Sequence, residues 1–331
     1  MKQTFKALVV DKQEEQFSVQ LKDLTLNDLP QEEVTIKVMY SSVNYKDGLA
    51  SIPDGNIVRS YPFIPGIDCS GIVIKSRNDR FKEGDEVIVT SYGLGVSHFG
   101  GFSEYVSVPA SWVVALPKGL TFKEAMIYGT AGFTAALSIM KLEHHGLTPD
   151  QGAVVVSGAS GGVGSVAVAM LAKKGYHVIA STGKTDQHEY LKQIGATEVI
   201  SRDDLSPEKF SSLGKGRFAA AVDPVGGNTL AYILSTLKYG GAVASSGLTG
   251  GTKLNTTVFP FILRGVSLLG IDSVECPMSL RQPLWEKMAT ELKPDALKDF
   301  IGHEITLEGL PEVLSQILKG QTKGRVIVKI G

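Results

Sequence analysis

The sequence predicts an α/β protein, a β-rich part followed by a doubly wound parallel sheet. Three observations carry that prediction. Short alternating strands, separated by Gly, Pro and Asp, fill roughly the first 120 residues. From there to residue 271, apolar strands alternate with helical patterns, the order that builds a parallel sheet covered on both faces. Between the first of those strands and the next helix lies the loop Gly158-Ala159-Ser160-Gly161-Gly162-Val163-Gly164-Ser165.

The elements follow in order. Residues 34–38 alternate as a half-buried strand does, and 71–74, 86–89, 104–108 and 112–116 continue the pattern. Strands at this spacing predict an irregular barrel or sandwich. Thr121 and Glu124 stand at the spacing of a capping box and open a helix. A second helical stretch runs from 133 to 143, and Gly146 can stop it. Strands at 153–156, 178–180, 198–200, 218–222, 242–245 and 266–271 then alternate with helices. The helices are expected at 163–174, at 186–194 with Asp186 and Glu189 as a capping box, from Ser206-Pro207-Glu208 onward, and at 228–237. In the tail from Ala296, Leu307, Leu310, Leu314 and Ile317 share a helical face, and 325–330 alternates as a strand. Pattern alone leaves that tail either a seventh sheet element or a return to the N-terminal part.

Composition bounds the function. A chain of 331 residues holds about two domains. Lys+Arg is 33, Asp+Glu is 34 and the net charge is −1, which argues against a nucleic-acid binder or a membrane-surface protein. Hydrophobic residues are 43%, enough for a sizeable core. The two cysteines, Cys69 and Cys276, cannot build a disulfide framework or a four-cysteine zinc site, so the reducing cytoplasm is the simplest home. The N-terminus shows no signal-peptide core, and no stretch is expected to reach the ~20 apolar residues of a membrane span. The 37 glycines point to tight turns and close backbone approaches.

The glycine-rich loop is the strongest chemical signal. Gly158, Gly161 and Gly164 are spaced by threes between a strand and a helix. Glycine there lets backbone N–H groups approach a pyrophosphate at a helix N-terminus. An NAD site usually has a carboxylate at the end of the second strand, bonding the ribose 2′-OH. Here that position reads Ser181-Thr182-Gly183-Lys184. Hydroxyls and a lysine suit a 2′-phosphate, which predicts NADP(H); if Lys184 is only solvated, NAD serves as well. Arg202 is a second candidate cation or an exposed side chain. The six histidines form no metal-ligand spacing. His98 lines a pocket or is structural.

Further motifs carry a resemblance: Val43-Asn44-Tyr45-Lys46-Asp47, Ile64-Pro65-Gly66-Ile67-Asp68-Cys69-Ser70-Gly71, Gly84-Asp85-Glu86-Val87, Gly100-Gly101-Phe102-Ser103-Glu104-Tyr105 and Gly129-Thr130-Ala131-Gly132-Phe133-Thr134-Ala135. With the glycine-rich loop, they make the chain resemble the medium-chain dehydrogenase/reductase superfamily over essentially its whole length. His188-Glu189-Tyr190-Leu191-Lys192, the stretch 256–264 and Gly270-Ile271-Asp272-Ser273-Val274 are similar to the YhdH/YhfP-type quinone oxidoreductases, which include NADPH-dependent acrylyl-CoA reductases.

The resemblance implies a GroES-like β-rich catalytic domain over 1–122 and 296–331, and a Rossmann cofactor-binding domain over 123–295 with the cofactor in the cleft between domains. Zinc-dependent relatives have a Cys where this chain has Asn44 and a His where it has Ile67. A zinc-free enzyme is therefore implied, moving hydride to a quinone or to the C=C bond of an unsaturated carbonyl or thioester such as acrylyl-CoA. A cofactor-binding regulatory or structural protein with little turnover is the alternative. Asn44 and Tyr45 are the implied donors near the nicotinamide, Tyr45 serving either the substrate or only the cofactor. Thr130 is the implied contact of the nicotinamide amide. Gly161, Gly162, Val163, Gly164, Ser165, Ser181, Thr182, Gly183, Lys184, Arg202, Leu248, Ile262, Ser273 and Arg325 are expected to line the cofactor with Tyr45. Arg264 and Arg325 meet substrate phosphates or form ion pairs. Asp47 and Asp68 serve as acids or as acceptors for backbone N–H groups. The final proton donor is left open. A homodimer is expected through the sheet edge at 266–271.

Overall fold

A computed structural model describes residues 4–14, 16–295, 297 and 302–331. In chain order the strands are β1 (Thr4–Gln13), β2 (Gln16–Thr25), β3 (Val34–Val43), β4 (Asp68–Ser76), β5 (Glu86–Thr90), β6 (Tyr105–Val108), β7 (Val113–Ala115), β8 (Val154–Val156), β9 (Val178–Thr182), β10 (Glu198–Ser201), β11 (Phe218–Asp223), β12 (Leu237–Ser245), β13 (Ser267–Gly270), β14 (Gly302–Ile305) and β15 (Arg325–Lys329). The α-helices are α1 (Tyr45–Ala50), α2 (Phe122–His144), α3 (Gly162–Lys173), α4 (His188–Gln193), α5 (Gly227–Thr236), α6 (Phe259–Arg264), α7 (Met278–Met288) and α8 (Leu310–Leu318).

The chain divides into two compact units. One comprises Met1–Thr130, Val274–Ala289 and Gly302–Gly331; the other comprises Ala131–Ser273 and Thr290–Ile301. The sequence places the first boundary after residue 122. The structure instead divides the chain beside a break in α2, where Gly129 has φ 50° and ψ −157°. Residues 274–289, expected in the cofactor domain, lie with the first unit, where Tyr128 OH donates to Met288 O at 3.0 Å. The expected boundary at Ala296 falls outside the described residues.

In the first unit, β14-β15-β3-β4-β5-β7 form a sheet, with β6 also paired to β3. Alternating Val34, Ile36 and Val38 turn inward against Val87, Val89, Val106 and Val108, burying the apolar face that the period of two predicts. The β1–β2 hairpin forms a separate two-stranded sheet, paired from Thr4↔Thr25 to Gln13↔Gln16. The tail question is resolved here: β15 pairs antiparallel with β3, and Leu307, Leu310 and Leu314 pack on Val43, Phe102 and Val328.

The second unit is a parallel sheet in the order β10-β9-β8-β11-β12-β13. Counted from β8 this is the doubly wound order, with a crevice at the point where the order reverses between β8 and β11. Every residue of β8 and β11 is buried, as strands covered on both faces require. The Thr121–Glu124 capping box forms, with Thr121 N donating to Glu124 Oε2 at 2.9 Å and Glu124 N to Thr121 Oγ1 at 3.2 Å.

Three expectations are corrected. No helix starts at Ser206. A short 3-10 turn at Arg202–Leu205 takes its place, because Ser201 accepts Asp203 N and its own N–H reaches Asp204, capping one turn earlier. The Asp186–Glu189 box does not form, since α4 begins at His188 after a separate 3-10 turn at Thr185–Gln187. Finally, α2 is long and apolar enough to cross a membrane by length and composition, but 89% of that window is buried inside the fold.

Candidate active site and nucleotide cradle

In the second unit, the glycine-rich loop links β8 to α3. Gly158 has φ +54°, a conformation that suits glycine. A Cβ on Gly164 would meet Gly158 O and stand 2.7 Å from Ala159 Cα, so α3 can approach the loop only because no side chain is there. At the start of α3, Gly161 is the N-cap and supplies no side-chain bond. The first-turn N–H groups therefore receive no cap from it, which leaves them open to a ligand at the start of α3.

The end of β9 lies against this loop. Ala159 N donates to Ser181 O at 2.9 Å, and the Ser160 and Thr182 hydroxyls are 3.0 Å apart. Lys184 N donates to Thr182 Oγ1 at 3.1 Å, and the Arg202 guanidinium carbon stands 3.1 Å from where a Cβ on Gly183 would be. Ser181, Thr182, Gly183, Lys184 and Arg202 thus gather at the end of β9, beside the Ala159–Ser160 part of the loop. Gly250 N donates to Val225 O at 2.8 Å, bringing the Leu248 turn beside the residues after β11. Leu248 is 64% exposed and Ile262, on α6, 69% exposed. Ser273 is buried and bonded to Thr134 Oγ1 at 2.8 Å.

In the first unit, strand ends converge on Asp68. The end of β3 supplies Ser42, the turn into α1 supplies Asn44, and the start of β15 supplies Arg325. Asp68 Oδ2 accepts from Ser42 Oγ at 2.7 Å, Asn44 Nδ2 at 2.7 Å and Thr130 N at 2.9 Å, while Thr130 Oγ1 donates to Oδ1 at 2.5 Å. The Arg325 guanidinium lies 3.8 Å away. A Cβ on Gly129 would strike Asp68, Ser42 and Arg325, so the break in α2 is also a close approach to this cluster. Asp47 is fully buried beside it, accepting from Asn44 N at 2.7 Å and Ile67 N at 2.9 Å. Burial, and then the charge of Asp68, push its carboxyl up to about 7. Asp47 therefore serves backbone N–H groups, one of the two readings open in the sequence, whereas Asp68 accepts one backbone N–H and three side-chain donors.

Arg325 corrects the sequence reading. It is 2% exposed and donates from Nε to Ile127 O, from Nη1 to Val43 O and Asn44 Oδ1, and from Nη2 to Ser42 Oγ. A guanidinium spent on buried acceptors does not line a cofactor or meet a substrate phosphate. Arg264 likewise binds the carbonyls of Ser235, Leu237 and Gly214. The Asn44 amide donates to Asp68 and more weakly to Ser42 O at 3.4 Å, and its oxygen accepts from Arg325, so it faces the cluster. Tyr45, 46% exposed at the first turn of α1, does face solvent. His98 is structural: its Nδ1 is 3.0 Å from Phe99 O and its ring meets Trp112 edge-on.

A zinc ion does not fit this cluster. Asn44 already accepts from a guanidinium, and a buried cation repels another. Among the described residues no group of three His, Cys, Asp or Glu could hold a metal.

The sequence missed two features. Asp223, at the crevice between β8 and β11, accepts from Ser157 Oγ, Val225 N and Gly226 N, and burial raises its carboxyl. The Asp223-Pro224 step at a strand end was the available signal. Ser91, 2.9 Å from Thr130 Oγ1, had none.

Comparison with known proteins agrees with both halves of this geometry. Residues 30–118 match the family model of the alcohol dehydrogenase GroES-like domain, and residues 162–309 match that of zinc-binding dehydrogenases. The chain is 56% identical to the putative quinone oxidoreductase YhfP of Bacillus subtilis, over 100% of each chain. The crystal structure of that protein with NAD bound superposes with a TM-score of 0.97 over 99% of both chains. Acrylyl-CoA reductase AcuI of Ruegeria pomeroyi is 50% identical, over 98% of this chain and 99% of that one. The YhdH oxidoreductase of Salmonella enterica, in complex with NADP, is 45% identical with a TM-score of 0.96, over 98% of this chain and 100% of that one. A GroES-like unit, a Rossmann-like parallel sheet and relatives matched end to end lead to one conclusion: the chain belongs to the medium-chain dehydrogenase/reductase superfamily, with YhfP and AcuI among its near relatives.

Proposed function

We propose that the protein is a zinc-independent, NADPH-dependent reductase that acts on the C=C bond of a small α,β-unsaturated acyl thioester of the acrylyl-CoA kind. The observation that carries this reading is the 50% identity to AcuI across 98% of the chain. When bound, the dihydronicotinamide supplies the hydride. The chain's own residues bind and orient. Gly161, Gly162, Val163, Gly164 and Ser165 offer the start of α3 to the pyrophosphate. Ser181, Thr182, Gly183, Lys184 and Arg202 hold the 2′-phosphate, and Leu248, Ile262 and Ser273 complete the cofactor's surroundings. Tyr45 presents a hydroxyl where negative charge grows on the substrate carbonyl oxygen. Thr130 sets the amide end of the nicotinamide, and Asn44 positions the turn into α1.

A second reading, quinone reduction with either nicotinamide cofactor, is favoured by the 56% identity to YhfP and by the NAD in that protein's structure. We also propose a homodimer that pairs along β13, and a cytoplasmic location, which suits a chain with two buried cysteines.

Parallel assays of NADPH oxidation with acrylyl-CoA, crotonyl-CoA and a small quinone test the proposal. Fastest turnover is expected with acrylyl-CoA. A faster quinone reaction selects the second reading, and no turnover with any of them selects a binding protein. Repeating the series with NADH tests the site beside Lys184, where a preference for NADH overturns the 2′-phosphate assignment.

A further inference from the structure

Two successive non-glycine residues, Ser91 (φ 64°) and Tyr92 (φ 50°), lie in the left-handed region directly after β5. Neither residue type favours that conformation; each costs on the order of 1–3 kcal/mol and persists only where its surroundings hold it there. The surroundings do hold it. Ser91 N donates to Ile67 O at 2.9 Å, and Tyr92 N to Val274 O at 3.3 Å. The Tyr92 ring stacks on Trp112, with centroids 5.8 Å apart and planes 9° apart, and its OH donates to Cys276 O at 3.0 Å. The Arg281 guanidinium also lies over that ring, 4.3 Å from its centroid. Arg281 is itself fully buried and tied to Thr90 O, Thr90 Oγ1 and Val274 O.

So much bracing keeps the Ser91 hydroxyl 2.9 Å from Thr130 Oγ1. The direction of that bond follows from its neighbour. Thr130 Oγ1 gives its proton to Asp68 Oδ1, and Asp68 accepts from other donors on Oδ2. Thr130 therefore accepts from Ser91, and the protons run one way, from Ser91 to Thr130 to Asp68. We propose that Ser91 is a positioning residue of the reductase site, its strained backbone retained so that its hydroxyl locks Thr130. This rests on the reading above that Thr130 sets the amide end of the nicotinamide.

Ser91→Gly separates the proposal from a purely structural role, because it relieves the strain and removes the hydroxyl together. Ser91→Ala removes the hydroxyl and keeps the strain. The measurements are the urea midpoint, the NADPH Kd, and kcat and KM with whichever acceptor the wild type turns over. Ser91→Gly is expected to raise the midpoint, leave the Kd within about twofold and lower kcat about tenfold, since a small misplacement at the reacting centre is costly. Ser91→Ala is expected to lower kcat equally without the gain in stability. Combining Ser91→Gly with Thr130→Val is expected to lower kcat no further than Thr130→Val alone. A Ser91→Gly protein with wild-type kcat, or effects that add in the double variant, overturns the assignment and leaves the reductase reading standing. A folded wild type that turns over no acceptor overturns that reading and this assignment with it.

Discussion

Asp47 shows what a buried side chain does to its own chemistry. Its two oxygens join Asn44 N at the start of α1 to Ile67 N in the turn before β4. Burial and the Asp68 charge lift it from 3.8 to about 7. A carboxyl raised in the fold keeps its proton after the unfolded chain has released it, so ionising it costs stability. Its contribution falls as pH rises from about 4 to about 7 and is constant above. Subtracting the thermal midpoints of Asp47→Asn from those of the wild type across that range isolates the group. The difference is expected to move in favour of the variant up to about pH 7, then level off. Parallel curves throughout mean an ordinary carboxylate. Asp47 and Asp68 are readable in the sequence as polar residues beside turns, but their shared cluster with Arg325 is not. Position 325 is far along the chain, and only the antiparallel pairing of β15 with β3 delivers it to Val43 and Asn44.

At the scale of elements, the start of α3 carries the most consequence. Gly164 lies in the first turn of the helix, and a Cβ there would press on the backbone of Gly158 and Ala159 rather than on a yielding side chain. Gly164→Ala is expected to cost about 1–3 kcal/mol in urea unfolding, as overpacking does, and to weaken NADPH binding about tenfold by displacing the cradle. A Cβ on Gly214 would stand no nearer than 3.4 Å to any atom, and Gly214→Ala serves as the control. A Gly164→Ala protein with wild-type affinity would separate the loop from cofactor binding. The spacing of Gly158, Gly161 and Gly164 made this element legible, because a strand–turn–helix with glycines at those points is a local solution. The break at Gly129 in α2 was less legible, since its reason is the Asp68 cluster from other strands. The β1–β2 hairpin escaped notice for a different cause: no residue of β2 is fully buried, so its alternation is weak.

For the whole molecule, β13 ends the six-stranded sheet and, among the described residues, leaves one edge unpaired within the chain. Leu268 on that strand is 39% exposed, and Leu263 and Val258, at and just before α6, are 57% and 62% exposed. An apolar edge of this kind is a template for another strand, which supports pairing with a second copy. Leu268→Lys is expected to shift sedimentation from dimer to monomer while leaving each chain folded. A wild type that sediments as a monomer, or a variant that stays dimeric, removes β13 from the interface.

The sequence by itself determined the fold class, the alternating order of the second unit and the place of the glycine-rich loop between β8 and α3. It could do so because hydrophobic period, glycine spacing and capping residues act over a few neighbours. The resemblance it carries also located the residues that replace the zinc ligands. Only the tertiary structure decided what those residues do. It turned Arg325 from a phosphate ligand into a buried partner of Asp68, faced the Asn44 amide inward and held Ser91 against Thr130. Each of those outcomes depends on strand ends brought together from distant parts of the chain, where burial and hydrogen-bond geometry, not local pattern, set the role of a side chain.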